Sequence, residues 1–398
     1  MLSNKKIASL NKKNRLTTIL FLGLLALLFI QFSCSENEKP DMANEEEDSA
    51  EKSSSLAIEE SEANEAEKEK NEEANKAEIE QEEHATELDL DKIKPNELGD
   101  FMVLMYHEIG SPESEWRRTP DNFRHDLEVL YEKGYRAVSL NDMLDGDIDL
   151  PPGTSPVVLT FDDSTKGQFN YLENNGDKKI DPDCAVAIME EFYKENPDFG
   201  LAATFYIYYP NPFRQQEYIE EKLNYLVDKG FEIGNHTHGH ANLSRLGSKK
   251  VQQELAYHVR ETQKYVPNYQ VRSLALPYGA YPQDNPELAL KGSYESISYH
   301  NEAVLLVGAN PAPSPFRENF DPSRLPRIRA SEMETEGVGL YDWLEYFEEN
   351  PHRRHVSDGA PGYISAPKSM KEYLEENNIN NKEVRFYEIK SESEKEEN

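Results

Sequence analysis

Two histidines four residues apart, in His236-Thr237-His238-Gly239-His240, are the side chains best placed by type and spacing to do chemistry in this 398-residue chain. On one helical turn two such imidazoles point the same way, so both reach one metal ion. A carboxylate from elsewhere would complete a three-ligand site with a position open for water, the catalytic rather than the structural arrangement. Asp162-Asp163 offers that carboxylate. It follows the apolar run Val157–Phe161, which reads as a buried parallel strand. Carboxylates at the carboxyl end of such a strand lie where α/β folds place their chemistry. The bland rival is that Asp162-Asp163-Ser164-Thr165 only caps a following helix.

The elements that must hold these residues alternate along the chain in the manner of a parallel α/β fold. Strands are expected at Met102–Tyr106, Val157–Phe161, Ala203–Tyr208, Phe231–Ile233, Ser273–Leu276 and Ala303–Val307. Helices are expected at Asn122–Lys133, Ala185–Lys194, Gln216–Lys229 and Ser248–Tyr265, the last with Ser248 as N-cap. Trp343, Tyr346 and Phe347 fall at packing spacing on a further helix, and Val384–Tyr387 reads as a last strand. Cys184 lies in an apolar helical stretch and is expected in the core.

Three motifs occur in order: Thr160-Phe161-Asp162-Asp163, then the histidine motif, then Leu276-Pro277-Tyr278-Gly279. Together with Ala203–Tyr206 and Phe231–Asn235 they resemble the polysaccharide deacetylase family, built on the NodB homology domain, over roughly residues 100–330. The resemblance implies a distorted (β/α) barrel with its groove at the carboxyl ends of the strands. It implies Asp163, His236 and His240 as ligands of one divalent ion, with Asp162 as catalytic base. It further implies that the Tyr278 backbone N–H faces the oxyanion. The ligand set suits zinc, with cobalt or nickel as alternatives. His238 reads as a bystander.

The sequence departs from the family pattern in places. Ala275 stands where the family often has an arginine that orients the catalytic Asp, and Ser164 replaces a usual Gly. In this respect Ala275–Gly279 resembles the branch acting on exopolysaccharide poly-N-acetylglucosamine. No histidine follows the strand Ala303–Val307, where the family places a general acid. His107, at the end of the first strand, is the substitute, and its alternative is a buried structural histidine. Arg327 and Arg329 either line the groove or are solvated. His258, His300, His352 and His355 lack motif context and read as surface residues.

Composition bounds the rest. Residues 1–34 carry five basic side chains and an apolar run ending at Cys34, an export signal. Cys34 resembles the lipidated cysteine of a bacterial lipoprotein; an ordinary signal or an uncleaved anchor is the alternative. Residues 35–98 read as a disordered acidic tether and 390–398 as a disordered acidic tail, flanking a catalytic domain at 99–389. The formal net charge of −33 argues against nucleic acid but not against a neutral polysaccharide. The expected protein is therefore an extracytoplasmic, membrane-anchored or secreted, metal-dependent deacetylase of an N-acetylglucosamine polymer. The alternative is a glycan-binding surface protein that keeps the groove without turnover.

Overall fold

Residues of the two central strands divide their side chains between two cores, and that division aims the reactive groups. A computed structural model describes residue 90 and residues 92–389. Cys34, the export signal, nearly all of the expected tether and the 390–398 tail lie outside those residues. The central strands are β1 (Met102–Tyr106) and β3 (Ser155–Asp162), buried throughout and paired in parallel from Met102↔Val157 to Tyr106↔Phe161. Successive side chains alternate faces. Leu104, Tyr106, Leu159 and Phe161 therefore join the core beneath the helices, whereas Val103 and Val158 join a second core inside the curl of the sheet. Asp162 continues the Val158–Thr160 face, so the same alternation turns it into the interior.

The other strands of the sheet are β2 (Tyr135–Ala137), β4 (Thr204–Ile207), β5 (Glu232–Asn235), β6 (Ser273–Ala275), β7 (Ala303–Leu305) and β8 (Ile328–Arg329). All pair in parallel, in the order β7-β6-β5-β4-β3-β1-β8, with β2 against the start of β3. A parallel bridge between Leu305 and Leu325, just ahead of β8, joins the two edges and makes the sheet a distorted (β/α) barrel. Helices α1 (Pro120–Glu132), α2 (Leu140–Asp145), α3 (Ala185–Glu195), α4 (Ile219–Asp228), α5 (Ser248–Tyr265) and α6 (Leu340–Glu349) accompany the strands. Helix α1 begins with Pro120 after Thr119, whose hydroxyl accepts from the Asn122 N–H at 3.2 Å. In α5 the N-cap is Gly247, and Ser248 is already the first helical residue.

At the amino ends of the strands a C-terminal segment, including the parallel pair β9 (Tyr363–Pro367) and β10 (Glu383–Tyr387), packs against the start of β1 and β3. Asn96 N donates to Val356 O at 2.8 Å, and Ser155 Oγ to His355 O at 2.5 Å. Buried here are Glu97, which accepts from Ser365 N at 2.8 Å, and Asp100, which accepts from Arg317 and Arg353 at 2.7 Å each. Two histidines read as surface residues are instead buried: His355 in this region, and His258 on α5. Burial holds both imidazoles near 3, so they stay neutral, and His258 Nε2 donates to Ile207 O at 3.0 Å. His300 and His352 are exposed as expected, and Cys184 is buried.

Candidate active site

The carboxyl end of β3 breaks into a left-handed turn. Asp163 and Ser164 have φ of 75° and 43°, so Asp162 faces the barrel interior while Asp163 swings over its rim. Ser164 takes the conformation for which the family resemblance expects Gly. Its carbonyl accepts from Phe213 N at 2.8 Å, which fixes the turn. The histidine motif is likewise a turn, not the helical turn read from its spacing. β5 ends at Asn235, and Thr237 and His240 have φ of 59° and 54°. Asn235 Oδ1 accepts from Thr237 N at 2.8 Å, and Thr237 Oγ1 accepts from Ala241 N at 2.7 Å. From α5, Glu254 accepts through its carbonyl from His238 N at 3.0 Å and through Oε2 from Gly239 N at 2.8 Å. The motif is thus held by its own side chains and by α5, with the His236 and His240 imidazoles turned to the rim.

Those imidazoles meet Asp163. Its Oδ1 lies 3.4 Å from His236 Nε2 and 3.0 Å from His240 Nε2, and the three ligand atoms fall within 4.8 Å of one another. The second bond of His236 decides what they can hold. Its Nδ1 is 2.8 Å from the Ala275 carbonyl, which can only accept, so Nδ1 carries the proton. A neutral His236 therefore turns a lone pair toward the Asp163 oxygen. Acceptors facing acceptors fit a divalent cation, and a carbonyl on the remote nitrogen is the usual orienting contact of a metal-ligating histidine.

Beside this cluster Asp162 is clamped. Arg327, fully buried, donates from Nη1 to Oδ1 at 2.8 Å and from Nη2 to Oδ2 at 2.7 Å. It also donates from Nη1 to Thr160 Oγ1 at 3.1 Å and from Nε to Leu306 O at 2.8 Å. Burial alone would raise the Asp162 pKa; the guanidinium outweighs it and holds the carboxyl below the ordinary aspartate value. The arginine missing at Ala275 thus has a counterpart just ahead of β8. Sequence reading left Arg327 between groove-lining and solvated, and the structure makes it neither.

His107 leaves β1 with Nε2 4.0 Å from Asp162 Oδ2 and its ring edge-on to Trp116 at 4.7 Å. Burial lowers its pKa against the upward pull of Asp162 and Asp163. Gln168, unnoticed in the sequence, donates to the backbone carbonyls of both His107 and Asp162 and so ties the two strand ends together. Tyr278 has φ of 60°, its ring is exposed beside His240 at 5.0 Å, and its backbone N–H meets no acceptor among the described residues. His238 points away and stacks on Tyr209. Asp162, Asp163, His107, His236, His240 and Tyr278 are therefore gathered on one rim. Five non-glycine residues on it (Asp163, Ser164, Thr237, His240 and Tyr278) adopt positive φ. Such conformations cost about 1–3 kcal/mol each and collect where function holds them.

Residues 149–296 match the family model described as Polysaccharide deacetylase. YxkH, a polysaccharide deacetylase-type protein of Bacillus subtilis strain 168, is 24% identical over 207 residues. The match covers 51% of this chain and 65% of YxkH, so the chain spans less than two thirds of that relative's length. Among solved structures, the deacetylase PplD of Streptococcus pyogenes, in complex with acetate, is similar at 18% identity and a TM-score of 0.44, covering 60% of this chain and 95% of PplD. IcaB from Ammonifex degensii is similar at 17% identity and a TM-score of 0.38, covering 60% of this chain and 94% of IcaB.

Proposed function

We propose that the chain, whose residues 149–296 match the Polysaccharide deacetylase model, is a deacetylase of the NodB type that removes acetyl groups from an N-acetylglucosamine-containing polysaccharide in a metal-dependent hydrolysis. The observation that carries this reading is the pairing of an arginine-clamped Asp162 with the Asp163–His236–His240 cluster. Those three side chains would hold a divalent ion, zinc or else cobalt or nickel, which when bound would supply Lewis acidity.

The chain's own groups do the rest. Asp162, ionised by Arg327, accepts a proton from water as its oxygen bonds to the acyl carbon. The Tyr278 N–H, without an acceptor among the described residues, donates to the acyl oxygen as negative charge develops there. His107, 4.0 Å from Asp162, passes the proton that Asp162 has taken up to the nitrogen as the carbon–nitrogen bond breaks, leaving acetate and a free amine on the sugar. Gln168 keeps His107 and Asp162 in register. With Cys34 lipidated, or the apolar run retained as an anchor, the domain works outside the cytoplasm at the membrane surface.

Acetate release by the full chain tests the reading. The substrates are N-acetylglucosamine oligomers, poly-N-acetylglucosamine and peptidoglycan, with metal stripped, with zinc restored, and with Asp163→Ala. Zinc-dependent release abolished by the substitution is the expected result. A folded, metal-binding protein that releases acetate from none of the three would replace the enzyme with a glycan-binding protein.

A further inference from the structure

Eight large apolar side chains are exposed among the described residues, and Trp116, Tyr278, Val307 and Met333 are four of them. All four belong to the segments around the active-site rim. Trp116 and Val307 line a cavity of about 350 Å³, which falls within the ~300–1,000 Å³ of small-ligand pockets. This cavity adjoins the site on two sides. Trp116 packs edge-on against His107, and Val307 contacts the Pro-Tyr-Gly turn through Gly279, where an added Cβ would lie 3.4 Å from the valine. A pocket of this size, with an exposed indole beside the proton donor, suits a pyranose ring next to the one being hydrolysed.

The walls of the cavity are charged, and their charges do not cancel. Arg329 crosses the pocket with its guanidinium 5.0 Å from the Trp116 ring, and its charge is matched by Glu115 at 2.5 Å. The same guanidinium donates to the carbonyls of Met333 and Glu334, which fixes the loop that forms the far wall. On that loop Glu334 and Glu336 stand exposed, with φ of 52° and 54°, and neither carboxylate pairs with a described residue. Two unpaired carboxylates beside an aromatic ring attract a cation. An N-acetylated sugar brings none; a sugar whose amine is already free brings an ammonium group.

Building on the deacetylase reading, we propose that this cavity is a subsite for an already deacetylated, cationic amino sugar adjoining the unit under attack. One turnover then creates the preferred neighbour for the next. Deacetylation of a fully acetylated chain starts slowly and accelerates as free amines appear.

The test uses the full chain with zinc on two matched N-acetylglucosamine oligomers, one fully acetylated and one with a proportion of its amines freed beforehand. The expected kcat/KM ratio favours the second by about three- to fivefold at low salt, the scale of exposed charge pairs. That ratio falls toward one in Glu334→Gln/Glu336→Gln and at about 0.5 M salt. A wild-type ratio of one, or a ratio unchanged in the double variant, overturns the proposal. Absence of acetate from both oligomers would instead sink the deacetylase reading. Calorimetric titration then still reads the subsite: tighter binding of glucosamine than of N-acetylglucosamine oligomers, weakened in the double variant, supports it, and equal binding overturns it.

Discussion

Two carboxylates are buried at opposite ends of the barrel, and their surroundings send them in opposite directions. Asp162, at the carboxyl ends of the strands, faces the Arg327 fork and is held ionised below its ordinary range. Glu97, at the amino ends, accepts from neutral groups among the described residues, the Ser365 and Asp358 N–H and the Ser357 hydroxyl. Burial, with Asp358 adding repulsion, pushes its pKa up to about 8. Equal burial therefore serves different ends: with a guanidinium it poises a base, and without one it stores a proton. Between these two acids the counter-charge, not depth, makes the difference.

The sharpest way to break this comparison is Asp162→Asn, which removes the base but keeps its shape. We expect acetate release to fall roughly 10²- to 10⁴-fold while metal binding persists, checked by kcat and bound zinc. Next is Arg327→Met, which leaves Asp162 in the predicament of Glu97. Its pKa should rise, carrying the acid limb of the kcat/KM profile upward. Stability should drop by about 3–5 kcal/mol in denaturant unfolding, since one partner of a buried pair stays behind. An unmoved acid limb would mean that the clamp is structural only.

Glu97→Gln tests the other end, and its sign is opposite. A carboxyl raised in the folded state stabilises fully below its unfolded pKa near 4.5 and loses that contribution as pH rises through about 8. The variant should thus resemble wild type at pH ~5 and exceed it by a few kcal/mol at pH ~9, read as Tm against pH. Equal pH slopes would refute the stored proton. Smallest is Gly279→Ala. With φ of 63° and Val307 at 3.4 Å, it should cost about 1 kcal/mol of stability and lower kcat modestly by shifting the Tyr278 N–H.

Much of this was legible in the sequence, and what was not has physical reasons. The strand leading to Asp162 and the order of the three motifs announce the barrel, because buried parallel strands and turn residues leave local traces. The clamp leaves none. Arg327 lies 165 residues from Asp162 and just ahead of a two-residue strand, so only closure of the sheet brings them together. Ala275 seemed a loss because its side chain was read, whereas its carbonyl orients His236. A spacing of four fitted a helix, yet positive φ at Thr237 and His240 brings the same imidazoles together. His258 and His355 misled because a lone histidine carries no sign of burial.

Arg327 also imposes an order in time. It bridges the seam where the two edges of the sheet meet, reaching Leu306 just after β7 on one side and Asp162 at the end of β3 on the other. A chain emerging from its amino end completes the metal ligands with His240 but lacks the clamp until residue 327 has followed and β8 has docked on β1. On the proposed mechanism Asp162 is therefore set last, by the last strand of the barrel to arrive.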